Sequence, residues 1–217
     1  FTDALFTSTS AVCVTGLIVF DTATHWTIFG QIIILLLIQI GGMGVVTIAV
    51  SLAVASGKKI GLFSREAMKN AISAPNVSGI VRLTGFIIKG TFLIEMIGAL
   101  IMLPVFCKDY GAEGIWMAVF HSVSAFCNAG FDLMGRYEAF SSLTGWDDHP
   151  IVLITIMLLI IIGGIGFAVW NDLYEHRLHF RKYSLHTKIV LTADLFLLFA
   201  GALLFYLIEH DDLFAGM

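Results

Sequence analysis

The 217 residues are 58% hydrophobic and 13% charged, with a mean hydropathy of +0.92. A soluble domain carries about 25% charged residues, and several runs here exceed the roughly 20 apolar residues that cross a bilayer as a helix. The composition therefore excludes a soluble globular domain and predicts an all-α polytopic membrane protein, with the lipid bilayer as its solvent and no nucleic-acid partner. Three cysteines make no disulfide framework.

In chain order, 2–12 is too short to span but apolar enough to be buried, and reads as a half-membrane helix. A loop follows at 13–17 and an outer surface segment at 20–26. A spanning helix is expected over 27–55, with Gly41, Gly42 and Gly44 in its middle allowing close packing or bending. Residues 64–73 read as a short amphipathic inner-surface helix, capped by Ser64 and ended at Ala74-Pro75-Asn76. A second span runs over 77–106. Residues 114–126 form a second half-membrane helix, 127–131 a second loop and 134–149 a polar outer loop. A third span is expected over 150–172 with Gly163, Gly164 and Gly166, a linker over 175–184, and a last span over 185–208. The division is thus 1–56, a loop and second helix of one unit; 57–76, a linker; 77–172, a whole unit; 173–184, a linker; and 185–217, the first helix of a third. The chain opens inside a motif rather than on a signal pattern, so sequence is expected beyond both ends.

The charges are sorted by side. Lys58, Lys59, Arg65, Lys69 and Arg82 follow the first long run, and Arg177, Arg181, Lys182 and Lys188 follow the third; the other loops are dominated by acids such as Asp3, Asp21, Asp132, Asp147 and Asp148. The positive-inside rule puts the basic linkers in the cytoplasm and the short loops outside.

The chain repeats itself. ALFTSTSAVCVTGL at 4–17 returns as AVFHSVSAFCNAGF at 118–131, a gapless offset of 114 that aligns Ser10 with Ser124, Cys13 with Cys127 and Gly16 with Gly130. A second echo, IGGMG at 40–44 against IGGIG at 162–166, has an offset of 122. A duplicated short helix, Gly loop and long helix is the pattern of a re-entrant pore loop. The C-terminal end of such a half-helix, with its unpaired carbonyls and negative dipole, favours a cation. The loop beyond it can turn backbone oxygens to an axis, where they replace an ion's hydration shell. Glycine suits the middle of that loop because it reaches positive φ and puts no side chain in the ion's path. Gly16 and Gly130 are expected at one height on a shared axis, related by a roughly fourfold rotation. Ser10 and Ser124 are placed to brace the loops, and Cys13 and Cys127 to pack behind them.

SAVCVTGL at 10–17, QIGGMG at 39–44 and HSVSAFCNAGFDL at 121–133 resemble the first two pore units of the Trk/Ktr/HKT potassium-transporter superfamily, and the likeness to the membrane subunits of bacterial Ktr systems covers essentially the whole chain. The resemblance implies repeated helix–pore loop–helix units around a pseudo-fourfold, potassium-channel-like pore, incomplete in this chain. It implies that Val14, Thr15, Gly16, Asn128, Ala129 and Gly130 offer filter carbonyls to K+, with Na+ as an activator and no covalently bound cofactor. It also implies a homodimer on a cytoplasmic KtrA-like nucleotide-binding regulatory ring, whose docking face would include Arg177, Arg181 and Lys182.

Lys89, Glu95 and Asp194 fall inside spanning helices, where a charge needs a partner or water. They read as interhelical ion pairs or, alternatively, as ion-path residues; in a sodium- or proton-coupled transporter Glu95 and Asp194 would be coupling sites. Flux that persists without a sodium or proton gradient would favour the channel. A non-conducting scaffold of the same fold is the third reading, opposed by the intact Gly pair. Asn76-Val-Ser78 fits a glycosylation sequon on the wrong side of the membrane. His176, His179, Arg181, Lys182 and His186 fit a solvated basic linker better than a metal site.

Overall fold

In the computed structural model, residues 1–44, 48, 80–136, 138–177 and 179–209 are described. Among them the secondary structure is entirely helical. The chain divides into two compact units, Phe1–Gly164 and Ile165–Met217.

The first unit opens with α1 (Thr2–Val12), over the residues expected, and a one-turn helix α2 (Thr22–His25) inside the outer surface segment. Asp21 caps α2, accepting from Ala23 N at 2.9 Å and Thr24 N at 3.2 Å. Thr27 caps α3 (Ile28–Met43) by accepting from Gly30 N. Here the structure corrects the sequence reading: instead of one helix over 27–55, α3 ends at Met43, because Gly44 turns to φ 80°. The rest of that expected span, except Ile48, lies outside the described residues, as do the 64–73 helix, the sequon at 76–78 and Lys58, Lys59, Arg65 and Lys69.

The long helix α4 (Ile80–Tyr110) runs four residues past the expected end, through Pro104, and stops before Gly111 at φ 60°. Its segment Leu83–Tyr110 is long and apolar enough to cross a membrane. Next come α5 (Glu113–Phe126), a chain of turns at 127–149, and α6 (Pro150–Gly164). The expected helix over 150–172 is also broken, at Ile165-Gly166, where Gly166 has φ 88°. Gly44, which caps the end of α3, and its counterpart Gly166, which precedes Phe167 at the break after α6, have similar conformations.

The core of this unit surrounds α5, which packs on α3, α4 and α6, while α1 packs on α3. Ile38, Ile87, Met102, Phe106, Phe120 and Val152 are fully enclosed. The outward faces are apolar too, with Ile151, Ile154, Met157 and Leu158 on α6 about half exposed, which suits a helix whose other neighbour is lipid.

In the second unit, α7 (Phe167–His176) packs against α8 (Leu185–Glu209). Asp172 joins them: it holds the His176 ring through Nδ1 at 2.8 Å and accepts from Ser184 N at 2.8 Å, while Ser184 Oγ caps α8 by accepting from Thr187 N. A 3-10 turn, Phe180–Lys182, lies in the linker. Leu185–Ile208 is the other described segment long and apolar enough to span.

Candidate functional site

The two loops have one backbone. After α1, Cys13 N donates to Thr9 O, Val14 N to Ala11 O and Thr15 N to Ser10 O; after α5, Cys127 N donates to Val123 O, Asn128 N to Ala125 O and Ala129 N to Ser124 O. Each set is a Schellman closure, with the residue after the cap in the left-handed region. That residue is Val14 at φ 55° in one copy and Asn128 at φ 57° in the other. Gly16 and Gly130 follow at φ 74° and 73°, conformations open to glycine at no steric cost. The 114-residue offset therefore holds for dihedral angles as well as for letters.

The loops also meet. A Cβ added to Gly16 would stand 2.7 Å from the Ala129 carbonyl oxygen and 3.4 Å from Gly130 Cα; one added to Gly130 would stand 3.4 Å from Gly16 Cα. The structure thus brings Gly16, Ala129 and Gly130 together.

The bracing hydroxyls differ. Ser10 Oγ and Thr15 Oγ1 share a hydrogen bond of 2.9 Å within the first loop. Position 15 corresponds to Ala129, which has no hydroxyl, and Ser124 Oγ instead donates to Phe131 O at 2.5 Å. His121 adds a second tie: Leu133 N donates to its Nε2 at 3.2 Å, so Nδ1 carries the proton and donates to Met117 O at 2.7 Å. Asn128 Nδ2 lies 3.4 Å from Phe126 O, to which it donates. A cavity of about 240 Å³ lies beside this loop, with His121, Ser124, Asn128, Gly130 and Asp132 in its wall.

The second sequence echo explains the backing. A Cβ on Gly41 would overlap the Val12 carbonyl oxygen, and one on Gly163 the Phe126 carbonyl oxygen. Val12 and Phe126 are the last residues of the two short helices, so each long helix lays a glycine against the end of its own short helix. Gly42 does a second job, because a Cβ there would overlap Cys127 at the end of the second short helix. Cys127 is accordingly buried and Cys13 exposed.

Three residues, Glu95, Gln39 and His121, carry more than the sequence suggested. Glu95 is 4% exposed and, in place of the expected cation, its Oε1 accepts from Gln39 Nε2 at 2.8 Å. Lys89 is exposed. The role of Gln39 was legible only as a polar residue in an apolar run, and that of His121 as a histidine where the first copy has Thr7. In the second unit Arg177, Arg181 and Lys182 are all exposed. The Arg177 carbonyl accepts from the Tyr183 hydroxyl, and the Arg181 carbonyl accepts from Lys188 Nζ at 3.0 Å.

The family described as TrkH, cation transport protein, matches residues 1–210. The chain belongs to this family. Among relatives, it is 42% identical to the potassium/sodium uptake protein NtpJ of Enterococcus hirae over 98% of its own length and 46% of that protein. It is 41% identical to Ktr system potassium uptake protein B of Bacillus subtilis, over 97% of the chain and 46% of that protein. Against the protein of the same name from Vibrio alginolyticus the identity is 38%, over 97% and 46%. The chain thus spans about half the length of the curated relatives it matches. Family membership and the apolar helices make this a membrane chain.

Proposed function

We propose that the chain carries two pore units of a potassium-conducting membrane subunit, with Val14, Thr15, Gly16, Asn128, Ala129 and Gly130 as its share of a filter of backbone carbonyls. The observation that carries this reading is the meeting of two loops of one backbone shape at Gly16 and Gly130. The relatives are named for the uptake of potassium, or of potassium and sodium, and are about twice as long, which leaves room for two more units about the same axis. At each helix end the Schellman bonds engage the last carbonyls, and those of the following loop are the ones offered to the ion. A dehydrated K+ exchanges its water for them and passes down its electrochemical gradient. Non-helical backbone at that depth is tolerated because it lines a water-filled path.

The loops open outward, sodium acts as an activator, and the protein works as a homodimer on a cytoplasmic nucleotide-binding ring. The exposed Arg177, Arg181 and Lys182 form part of the docking face, which attracts an acidic surface and weakens with salt.

Gly130→Ser in the full-length protein tests the filter. The added side chain disfavours the left-handed backbone and changes the field at the ion, so the K+/Na+ uptake ratio falls at a normal membrane level; an unchanged ratio removes the assignment. Neutralising Arg177, Arg181 and Lys182 together tests the docking face. Ring binding and nucleotide-dependent uptake both fall, and if both survive at normal expression these charges serve topology alone.

A further inference from the structure

Three helices meet at one residue beside the start of the second loop. Glu95 lies inside α4, enclosed on all sides. Its carboxylate oxygen Oε1 accepts from Gln39 Nε2 on α3 at 2.8 Å and faces Cys127 Sγ at 4.0 Å. Its main-chain oxygen accepts from Ser122 Oγ on α5 at 2.6 Å. Gln39 is itself buried and lies three residues before Gly42, which packs closely on Cys127. Cys127 caps the C-terminus of α5, immediately before Asn128 and the loop carbonyls.

A carboxyl inside a membrane helix is costly, and an apolar side chain would fill the same space without that cost. What the carboxyl adds is direction. The Glu95 side chain ties α4 to α3 beside Cys127 Sγ, while the bond from Ser122 to the main-chain oxygen, which any residue here would keep, holds α5 against α4. We propose that Glu95 is a positioning residue for the second loop. Together with Gln39 it fixes the place of Cys127 and thereby the spacing of the carbonyls at Asn128, Ala129 and Gly130. This rests on reading those carbonyls as part of a selectivity filter.

The test is the K+/Na+ uptake ratio and the KM for K+ of the full-length protein, in cells without uptake systems of their own, beside its membrane level. Glu95→Ala and Gln39→Ala are each expected to lower the ratio by about fivefold, the scale on which one buried hydrogen bond shifts an equilibrium, and to raise KM. Glu95→Gln keeps the shape and can still pair with the Gln39 amide, so it holds the ratio near its original value. A role in folding alone would move membrane level and leave the ratio. Glu95→Ala and Gln39→Ala proteins with an unchanged ratio overturn the proposal, and so does Glu95→Gln behaving like Glu95→Ala. If Glu95→Ala fails to reach the membrane, Gln39→Ala decides by the same criterion. Gly130→Ser in the same assay separates the two ideas. If it lowers the ratio while the Glu95 and Gln39 variants do not, the filter stands and the positioning role falls; if it too leaves the ratio unchanged, both fall.

Discussion

In the first loop Ser10 bonds Thr15, five residues on; in the second, the equivalent Ser124 reaches seven residues on to the Phe131 carbonyl, and His121 holds Leu133 beside it. Phe6 is 43% exposed and its counterpart Phe120 is fully buried; Leu17 is 62% exposed and Phe131 2%. Ser8 bonds Leu5 of its own helix, whereas Ser122 bonds Glu95 of a neighbouring one. Yet φ agrees within two degrees between Val14 and Asn128 and between Gly16 and Gly130. The loop backbone is therefore a local property, set by the Schellman closure and the glycine. The surroundings of each copy, built by α4 and α6 around the second and by α3 beside the first, are free to differ.

The strongest challenge to that comparison is on the helices behind the loops. If Gly41 and Gly163 do one job, Gly163→Ala must push α6 off the Phe126 carbonyl, and Gly41→Ala must push α3 off that of Val12. Overpacking of this kind costs about 3 kcal/mol, with a loss of membrane protein and of uptake in both variants. Gly85 is helical too, but a Cβ there meets nothing within 4 Å. Gly85→Ala should be neutral or gain up to about 1 kcal/mol from helix propensity. Thermal unfolding midpoints in detergent decide the matter; if Gly163→Ala matches Gly85→Ala, the glycines are not there for close approach.

This backing was half legible. The doubled Gly-Gly-x-Gly could be read as a site of packing or bending, and both occur: the first two glycines of each run allow close approach or face the loop, and the last stands at a helix break at positive φ. The extent of α1, the loop positions and the pairing of Gly16 with Gly130 followed from the repeat, because local backbone patterns are written in adjacent residues. The helix breaks at Gly44 and Gly166 were not legible, since an apolar run reads the same whether the helix continues or stops. The Gln39–Glu95 link was hidden for another reason. It joins residues 56 positions apart, and an amide is a less obvious partner for a carboxylate than the cation Lys89.

A smaller effect separates the bracing hydroxyls. Ser124→Ala leaves the buried Phe131 carbonyl without its donor, a loss of about 2 kcal/mol. Ser10→Ala costs less, about 0.5 kcal/mol, because Thr15 Oγ1 already lies 3.4 Å from the Ser10 carbonyl and can turn to it. The unfolding midpoint should therefore fall further for Ser124→Ala. Equal shifts would mean that the second loop is held by His121 rather than by its serine.

The smallest effect, of opposite sign, concerns the residue after each helix. Val14 is β-branched and sits at φ 55°, where such residues are rare. An L-residue in this region costs about 1–2 kcal/mol, and glycine avoids that cost while losing about 0.5–1 kcal/mol to its freer unfolded chain. Val14→Gly should then stabilise by about 0.5–1 kcal/mol, less whatever the Val14 methyl gains against Gly41. Asn128 holds nearly the same angle, but asparagine tolerates it with little strain. For Asn128→Gly the unfolded-state term dominates, and the change should be close to zero or slightly destabilising. A higher unfolding midpoint for Val14→Gly alone ties the shared backbone to local geometry. If Asn128→Gly stabilises equally, its strain matches that of valine, and the two turns are set by their surroundings after all.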